Sequence, residues 1–564
     1  MSGVSSNPSV GHLIDIQGDT LVASLEEDEQ GQLPTVTLGD EDIIVGQIGS
    51  YLAIRQGEIQ IIAIVTRMSE QEGLAPPSIE TPGELPARLS FAKRTLYLTP
   101  IGSIRPDGQF DRGVGQYPTT GAKLYALSAA DIGKMFDRFQ SKGFDVGALV
   151  TQKSLRVYPD PTNLFGRHVA ILGQTGSGKS WTVASLIQKA VKVMPKAHII
   201  LLDLHGEYCW KDDEGNRKYA FDEACVRHVD ARELEIPYWL MTYAELCDLL
   251  IDRNEQTAHN QIAFFRDTIR TLKESEKAPL ALNRVTVDTP VYFSLDSLIS
   301  IVDAKNSEMV PGANKPKQGP MFGDFDNFLT RLTSRMNDVR YDFLLRPKVR
   351  TNSASLPGLL RDFVGLGNPK CPVTIIDLSS VPFDVRPTVA AQIGRLAFEF
   401  NYWNPQYREF PILLMCEEAH AYIPRAAESQ YAGSRKSMER IAKEGRKYGT
   451  GLAVISQRPN ELSETVLAQC GTFICLRITN PDDQSYVRSL VPESEGELVS
   501  ILAGLGRGEA LILGEAVPLP TRVKFDEPSP NPNSEDVDFY TKWRTGPDDI
   551  DVDSIVRRWR SQER

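Results

Sequence analysis

A glycine-rich turn between an apolar run and a helical segment has the clearest chemistry in the sequence. The apolar run covers residues 169–172, and the helical segment starts at Trp181. Glycines here let backbone N–H groups surround phosphate oxygens at the positive end of a helix. A plain turn is the alternative, but the complete pattern favours a P-loop. We therefore expect a nucleoside triphosphate to bind Gly173, Gln174, Thr175, Gly176, Ser177, Gly178, Lys179, Ser180 and Trp181.

Two side chains of this loop have specific expected roles. Lys179 is expected to reach the β- and γ-phosphates, and the Ser180 hydroxyl is expected to ligate the Mg²⁺ that bridges them. The sequence has no guanine-reading NKxD motif after the P-loop, so ATP is the expected nucleotide. It has no LSGGQ-like signature either, which disfavours an ABC transporter subunit.

Two adjacent carboxylates follow a second apolar run, residues 410–416. Glu417 is expected to hold Mg²⁺, and Glu418 to polarise the water that attacks the γ-phosphate. Paired glutamates at the end of a strand often face solvent, but this position downstream of a P-loop is typical of a Walker B motif. His420 is expected to orient a carboxylate rather than to act as a base.

Polar side chains also end two further apolar runs. Asp203 and Glu207 follow residues 198–202, where they could support Mg²⁺ or the attacking water, or merely cap the next segment. Gln457 follows residues 452–455 and suits a γ-phosphate sensor, because an amide can donate to phosphate and accept from water. For Gln457 an ordinary strand end is the alternative.

Composition limits the class of protein. The 564 residues carry a net charge of −12, which argues against a surface coated with basic residues. A ring can nevertheless confine positive charge to its channel, so nucleic acid stays a candidate partner. The seven cysteines show neither a CxxC pair nor zinc-site spacing, as expected of reduced thiols. Without a signal-like start or an apolar run of about 20 residues, we expect a cytoplasmic protein that does not enter membranes.

The pattern along the chain predicts an α/β protein with a RecA-like P-loop ATPase core. Residues 1–10 are expected to be flexible, and residues 11–157 have the short β-rich runs of a small barrel. The ATPase domain is expected at 158–525, with a helical insertion at about 210–370. Residues 526–564 are expected to form a linker and a tail with one short helix at about 552–560.

In combination, these motifs resemble those of the HerA family in the HerA/FtsK group of ring-forming P-loop ATPases. The resemblance includes residues 173–180, 203–208, 417–420, 445–449 and 456–459, in that order. Residues 100–103, 111–114 and 117–118 are similar to the family's small N-terminal β-barrel. The order and combination of these motifs are more specific than any one of them.

The resemblance implies a homohexamer with ATP and Mg²⁺ bound between subunits. It also implies double-stranded DNA in the ring channel and an effector, a nuclease or a sirtuin-like protein. We expect the effector to dock on the barrel face, and bacterial HerA-like proteins occur with such effectors in anti-phage defence. FtsK-like ATPases carry a trans-acting arginine at the position that Arg446 occupies here. Arg440 is the other candidate, and complementing the end of its helix is the alternative role of Arg446.

Two functions of different kinds fit these features. The first is a hexameric motor that hydrolyses ATP to move double-stranded DNA. The second is an ATP-gated ring that assembles and activates an effector with little DNA movement of its own. A conjugation or secretion ATPase at a membrane is a weaker third hypothesis, because no transmembrane segment is present.

Overall fold

The computed structural model describes residues 9–26, 35–38, 41–74, 90–212, 214–252, 255–312, 315–426 and 432–561. In chain order, its strands are β1 (Ser9–Gln17), β2 (Thr20–Leu25), β3 (Thr35–Leu38), β4 (Glu41–Ile44), β5 (Tyr51–Gln56), β6 (Ile59–Leu74), β7 (Ser90–Ile104), β8 (Phe110–Arg112), β9 (Lys123–Ala126), β10 (Gly147–Leu149), β11 (Arg156–Val157), β12 (Val169–Leu172), β13 (Ile199–Asp203), β14 (Cys209–Lys211), β15 (Arg217–Tyr219), β16 (Val226–Asp230), β17 (Met309–Val310), β18 (Lys317–Gln318), β19 (Val373–Asp377), β20 (Ile412–Cys416), β21 (Thr450–Ser456), β22 (Thr472–Cys475), β23 (Glu509–Gly514) and β24 (Thr521–Phe525).

The α-helices are given in the same order. They are α1 (Ala129–Gln140), α2 (Pro161–Gly166), α3 (Lys179–Val193), α4 (Ala231–Leu234), α5 (Tyr243–Leu250), α6 (Ala258–Lys273), α7 (Leu295–Asn306), α8 (Asp326–Met336), α9 (Asp342–Leu345), α10 (Leu356–Phe363), α11 (Arg386–Trp403), α12 (Ala432–Glu444), α13 (Glu464–Leu467), α14 (Pro481–Leu490), α15 (Glu493–Gly496), α16 (Phe539–Thr545) and α17 (Val552–Ser561).

The chain divides into two compact units. The first contains residues 1–193, 456–460 and 467–528, and the second contains residues 194–455, 461–466 and 529–564.

Six antiparallel strands of the first unit close a barrel. Their order is β2-β1-β9-β5-β6-β7, and β2 pairs with β7 to complete the circle. Successive side chains of a strand point to opposite faces. Leu21 and Ala23 of β2 and Leu96 and Leu98 of β7 therefore fill the barrel core together. The predicted N-terminal β-barrel is confirmed.

The start of the barrel differs from the expectation. Of residues 1–10, expected to be flexible, residues 1–8 lie outside the described part of the chain. Ser9 and Val10 begin β1, and Val10 is buried in the barrel core because it packs with the inward-facing side chains.

Polar contacts attach the barrel and the adjoining strand β8 to the rest of the first unit. The Tyr51 hydroxyl donates to the carbonyl of Pro520 over 2.6 Å, and the Thr66 hydroxyl donates to Glu497 over 2.8 Å. The Arg112 guanidinium lies 2.7 Å from the buried carboxylate of Glu495. These contacts bond the barrel region to the residue before β24 and to α15 and the residue after it.

The first unit also contains sheet strands that carry the P-loop. Their order is β11-β10-β24-β23-β22-β12, and β12 runs parallel to β22. β10 and β11 come from within residues 11–157, which were expected to belong to the barrel domain. β10 pairs instead with β24, in a register that joins residues 147–149 to residues 523–525, and β11 pairs with β10.

The second unit contains parallel strands in the order β21-β20-β13-β19-β16. β13 and β20 are buried at every residue, which suits parallel strands covered on both faces. These strands confirm the predicted α/β class. The expected helical insertion at about 210–370 needs correction, because it also contains strands: Val226–Asp230 forms β16 and pairs with β19, and two short hairpins, β14 with β15 and β17 with β18, lie in the same stretch. The helices of this stretch begin at α4.

The C-terminal residues contain two helices where one was expected. α16 precedes α17, and neither helix has a buried residue. In the described part of the chain, no helix has both the length and the apolar composition to cross a membrane.

Candidate nucleotide-binding site

The loop between β12 and α3 has the backbone conformation of an anion cradle. Gly176 and Gly178 have φ values of 74° and 97°, which lie in the left-handed region that favours glycine. α3 begins at Lys179, so the N–H groups of its first turn have no carbonyl partners within the helix. This geometry fits the expected phosphate site.

Neighbouring strand ends of the first unit hold the loop in place. The amide oxygen of Gln174 accepts from the N–H of Thr479 over 3.0 Å and from its hydroxyl over 2.7 Å. The N–H of Gly173 donates to the carbonyl of Ser456 over 3.2 Å. The Lys179 ammonium lies 3.4 Å from the Gln174 carbonyl, folded back over the loop.

Gln457 lies against the P-loop within this unit. Its amide oxygen accepts from the Thr175 hydroxyl over 2.5 Å. Thr175 is exposed at the tip of the loop, so this bond places the amide of Gln457 beside the phosphate cradle. The position suits the predicted γ-phosphate sensor.

In the second unit, Glu417 is a buried carboxylate at the end of β20. Its side chain accepts through Oε1 from the Tyr208 hydroxyl over 3.1 Å, and Oε2 has no hydrogen-bond partner among the described residues. Burial raises the pKa of Glu417 well above its usual range, and the nearby charges of Asp203, Glu207 and Glu418 add to the effect. The site therefore favours a cation or a proton at Glu417.

Glu418 adopts a left-handed conformation, with φ 42° and ψ 46°. For a residue with a Cβ this costs about 1–3 kcal/mol, and such strain clusters at functional sites. The conformation turns the side chain toward His420, whose Nδ1 lies 3.3 Å from Oε2 of Glu418. The predicted place of His420 beside a carboxylate agrees with this distance.

For Asp203 the sequence allowed two roles, support of Mg²⁺ or the attacking water and capping of the next segment. The hydrogen bonds of its carboxylate are those of a cap. Its carboxylate accepts from the N–H groups of the next turn, at 3.2 Å from His205, 2.7 Å from Gly206, 3.1 Å from Glu207 and 3.0 Å from Tyr208. Both oxygens are thus used to cap the segment. Asp203 and Glu207 both also contribute negative charge next to Glu417.

The two arginine candidates differ in their surroundings. Arg440 on α12 is 4.3 Å from the ring centre of Phe398 and 4.0 Å from Glu444. Arg446 lies in a short 3-10 helix, Gly445–Tyr448, where it is exposed and has no ion pair with another described residue. Of the two, Arg446 is therefore the one with fewer contacts among the described residues.

The residues present fit Mg²⁺ only as an ion shared with a nucleotide. Among the described residues, no group of three His, Cys, Asp or Glu side chains could hold a metal. Mg²⁺ is commonly bound by one or two carboxylates plus phosphates and water. Glu417 in the second unit and Ser180 in the first each offer an oxygen of the type that Mg²⁺ accepts.

Sequence reasoning missed two contacts. Tyr208 lies in a recognised motif, but nothing in the sequence assigned its hydroxyl to Glu417. Arg507 lies over the ring of Trp181, with Cζ 4.8 Å from the ring centre, although the two residues are far apart along the chain.

The comparisons with known proteins agree with these features. The family model described as "Helicase HerA, central domain" matches residues 144–397. A probable helicase of Methanocaldococcus jannaschii is 28% identical over 76% of this chain and 74% of its own. The DNA double-strand break repair helicase HerA of Pyrococcus furiosus is 27% identical over 69% and 70%, respectively.

Solved structures with a similar chain include a VirB4 protein and a plasmid coupling protein. The VirB4 protein of Thermoanaerobacter pseudethanolicus is 16% identical, with a TM-score of 0.38 over 68% of this chain and 96% of that one. The plasmid coupling protein TrwB in complex with a GTP analogue is 11% identical, with a TM-score of 0.43 over 70% and 92%.

Proposed function

We propose that this chain, a HerA-type P-loop ATPase by its central domain, forms a homohexamer that moves double-stranded DNA through its channel. It uses ATP and Mg²⁺, which the P-loop pattern and the resemblance to HerA-type ATPases support. The observation that carries the proposal is the strained Glu418 beside the buried Glu417, because a chain that only bound nucleotide would not need this acid pair.

Each residue of the proposed site has one task. Lys179 and the P-loop N–H groups bind the phosphates, while Ser180 and Glu417 hold Mg²⁺. Bound Mg²⁺ neutralises charge on the β- and γ-phosphates. Glu418 orients the attacking water and accepts its proton, since a general base must lie within hydrogen-bond reach of the proton it takes. Gln457 senses the γ-phosphate, and Arg446 of a neighbouring subunit offsets its charge.

The partner is the least constrained part of the proposal. An effector, either a nuclease or a sirtuin-like protein, would dock on the barrel, and the pair would act in DNA processing or anti-phage defence in the cytoplasm. Only the resemblance to HerA-like proteins supports this. Co-purification with the product of the neighbouring gene, with and without residues 1–143, tests the docking face.

The motor function is tested by DNA-stimulated ATP hydrolysis. Duplex DNA should raise the turnover of the full chain at low salt, and the stimulation should fall steeply at physiological salt, because phosphate contacts release counterions. Lys179→Ala should abolish nucleotide binding. Glu418→Gln should keep ATP and DNA bound while turnover falls by about 10²-fold or more.

Two outcomes would count against the proposal. Turnover that does not respond to duplex DNA at low salt, with or without the partner, would favour the effector scaffold. Near wild-type turnover in Glu418→Gln would move the water-activating role to Glu417 or Glu207.

A further inference from the structure

A cavity of about 140 Å³ lies beside the P-loop within the first unit. Cavities of this size hold one aromatic ring, since an engineered cavity of about 150 Å³ binds benzene. The first turn of α3 and a segment of the C-terminal strands line it together, through Gly178, Trp181, Thr182, Arg507, Gly508 and Pro528.

The cavity lies where a nucleotide would continue beyond its phosphates. In a P-loop the lysine reaches the β- and γ-phosphates, and backbone N–H groups of the loop hold the α- and β-phosphates. Trp181 and Thr182 follow that lysine in the first turn of α3, next to the loop whose N–H groups would hold these phosphates. The opposite wall is fixed to the loop, because the N–H of Gly508 donates to the carbonyl of Ser177 over 2.9 Å.

The chemistry of the walls suits a flat ring with polar edges. The Arg507 guanidinium is exposed and rests on the face of Trp181 at 4.8 Å, so it offers a planar surface supported from behind. The indole Nε1 of Trp181 and the hydroxyl of Thr182 are buried, and neither has a hydrogen-bond partner among the described residues.

We propose that this cavity holds the base of the bound nucleotide, stacked on the Arg507 guanidinium that Trp181 supports. The inference rests on the proposed nucleotide binding and adds the residues that bind the nucleoside part. Stacking on a planar cation or aromatic ring contributes substantially to the binding of bases.

Calorimetric titration of the full chain separates base binding from phosphate binding. The probes are ADP and inorganic pyrophosphate, both with Mg²⁺, since pyrophosphate lacks a base. Arg507→Ala should weaken ADP binding by about fivefold or more, while the Kd of pyrophosphate stays within about twofold. Arg507→Lys keeps the positive charge but removes the planar guanidinium, so it should weaken ADP binding as well.

Arg55→Ala is the matched control. Arg55 also stacks on an aromatic ring, 4.3 Å from the ring centre of Tyr125 in the barrel, and it lies outside this cavity. The Arg55→Ala substitution should change neither the Kd of ADP nor the Kd of pyrophosphate. Should Arg507→Ala lose the wild-type circular dichroism spectrum, Arg507→Lys provides the same comparison.

The outcomes are distinct. Unchanged ADP binding in both Arg507 variants would overturn the base site. An equal loss of ADP and pyrophosphate binding in Arg507→Lys would also overturn it, because Arg507 would then act on phosphate. Wild-type protein that binds neither probe would instead remove the proposed nucleotide binding on which the inference rests.

Discussion

The carboxylate of Glu417 has one hydrogen bond and three acidic neighbours, and it lies almost wholly out of water. A group in this position destabilises the fold when it is ionised and alone. It is useful only when a cation arrives with the nucleotide. Glu418 has a left-handed backbone conformation, and this strain also lowers the stability of the same turn. Both costs are of the kind that proteins retain where chemistry requires them.

Glu417→Gln should therefore stabilise the nucleotide-free chain at neutral pH. The folded-state pKa of Glu417 lies above its unfolded value of about 4.3. Between those two values the folded state binds more protons, so stability falls as pH rises. The substitution should raise the unfolding free energy by about 1–3 kcal/mol at pH 7.5, and the gain should vanish toward pH 4.3. Urea unfolding across this pH range measures it.

Glu439→Gln is the control for that prediction. Burial raises the pKa of Glu439, but its bonds to Arg435 and Ser463 outweigh this and hold the pKa below its usual range. Removing its charge should lower the stability at neutral pH. If Glu417→Gln also lowers the stability, the carboxylate has a compensating partner and the metal role loses its support.

At the scale of elements, strands could be predicted from the sequence where an apolar run ended in a recognisable motif. β12, β13, β20 and the P-loop were all predicted in this way. β16 was not, because five residues that include Arg227 and His228 do not have an apolar pattern, and pairing with β19 supplies the missing stability. Contacts such as Tyr208 with Glu417 depend on tertiary packing, which no local pattern encodes.

The turn after β13 is held by a single side chain, which leads to a prediction about Asp203. Asp203→Ala would leave the N–H groups of residues 205–208 without their acceptor, and it should lower the unfolding free energy by at least about 2 kcal/mol. Asp212→Ala is the control, since Asp212 accepts from Glu214 and Asn216 in an exposed turn. Chemical denaturation compares the two variants. A variant at Asp203 with wild-type stability but no turnover would place the residue in catalysis.

At the scale of the whole molecule, the described structure leaves apolar side chains in water. Trp543 on α16 and Trp559 on α17 are 83% and 75% exposed. Exposed apolar surface of this kind marks interaction sites. Light scattering of the full chain with ATP should give six times the mass of one 62.7 kDa chain, and a chain ending at residue 533 should give a smaller hexamer fraction. If the full chain stays monomeric in the presence of ATP, the ring is contradicted.

Arg446 can be tested only between subunits. Arg446→Ala chains should bind ATP and assemble but hydrolyse poorly. Mixed with Lys179→Ala chains, they should regain turnover, because some interfaces then pair an intact P-loop with an intact arginine. Arg440→Ala is the control, since Arg440 is engaged with Phe398 within its own chain. Failure to recover at any mixing ratio, with subunit exchange verified, would mean that Arg446 acts within its own chain or not at all.

The pairing of β12 with β22 also constrains how the protein is made. Val169 of β12 pairs with Thr472 of β22. During synthesis, β12 therefore has no β22 to pair with until roughly 300 further residues have been added. At 5–20 residues per second, this takes about 15–60 s of synthesis. The barrel strands, in contrast, lie within the first 126 residues and can close early. On the ribosome, the growing chain therefore carries a finished barrel beside an apolar strand that still lacks its partner, and this interval is when it most needs a chaperone.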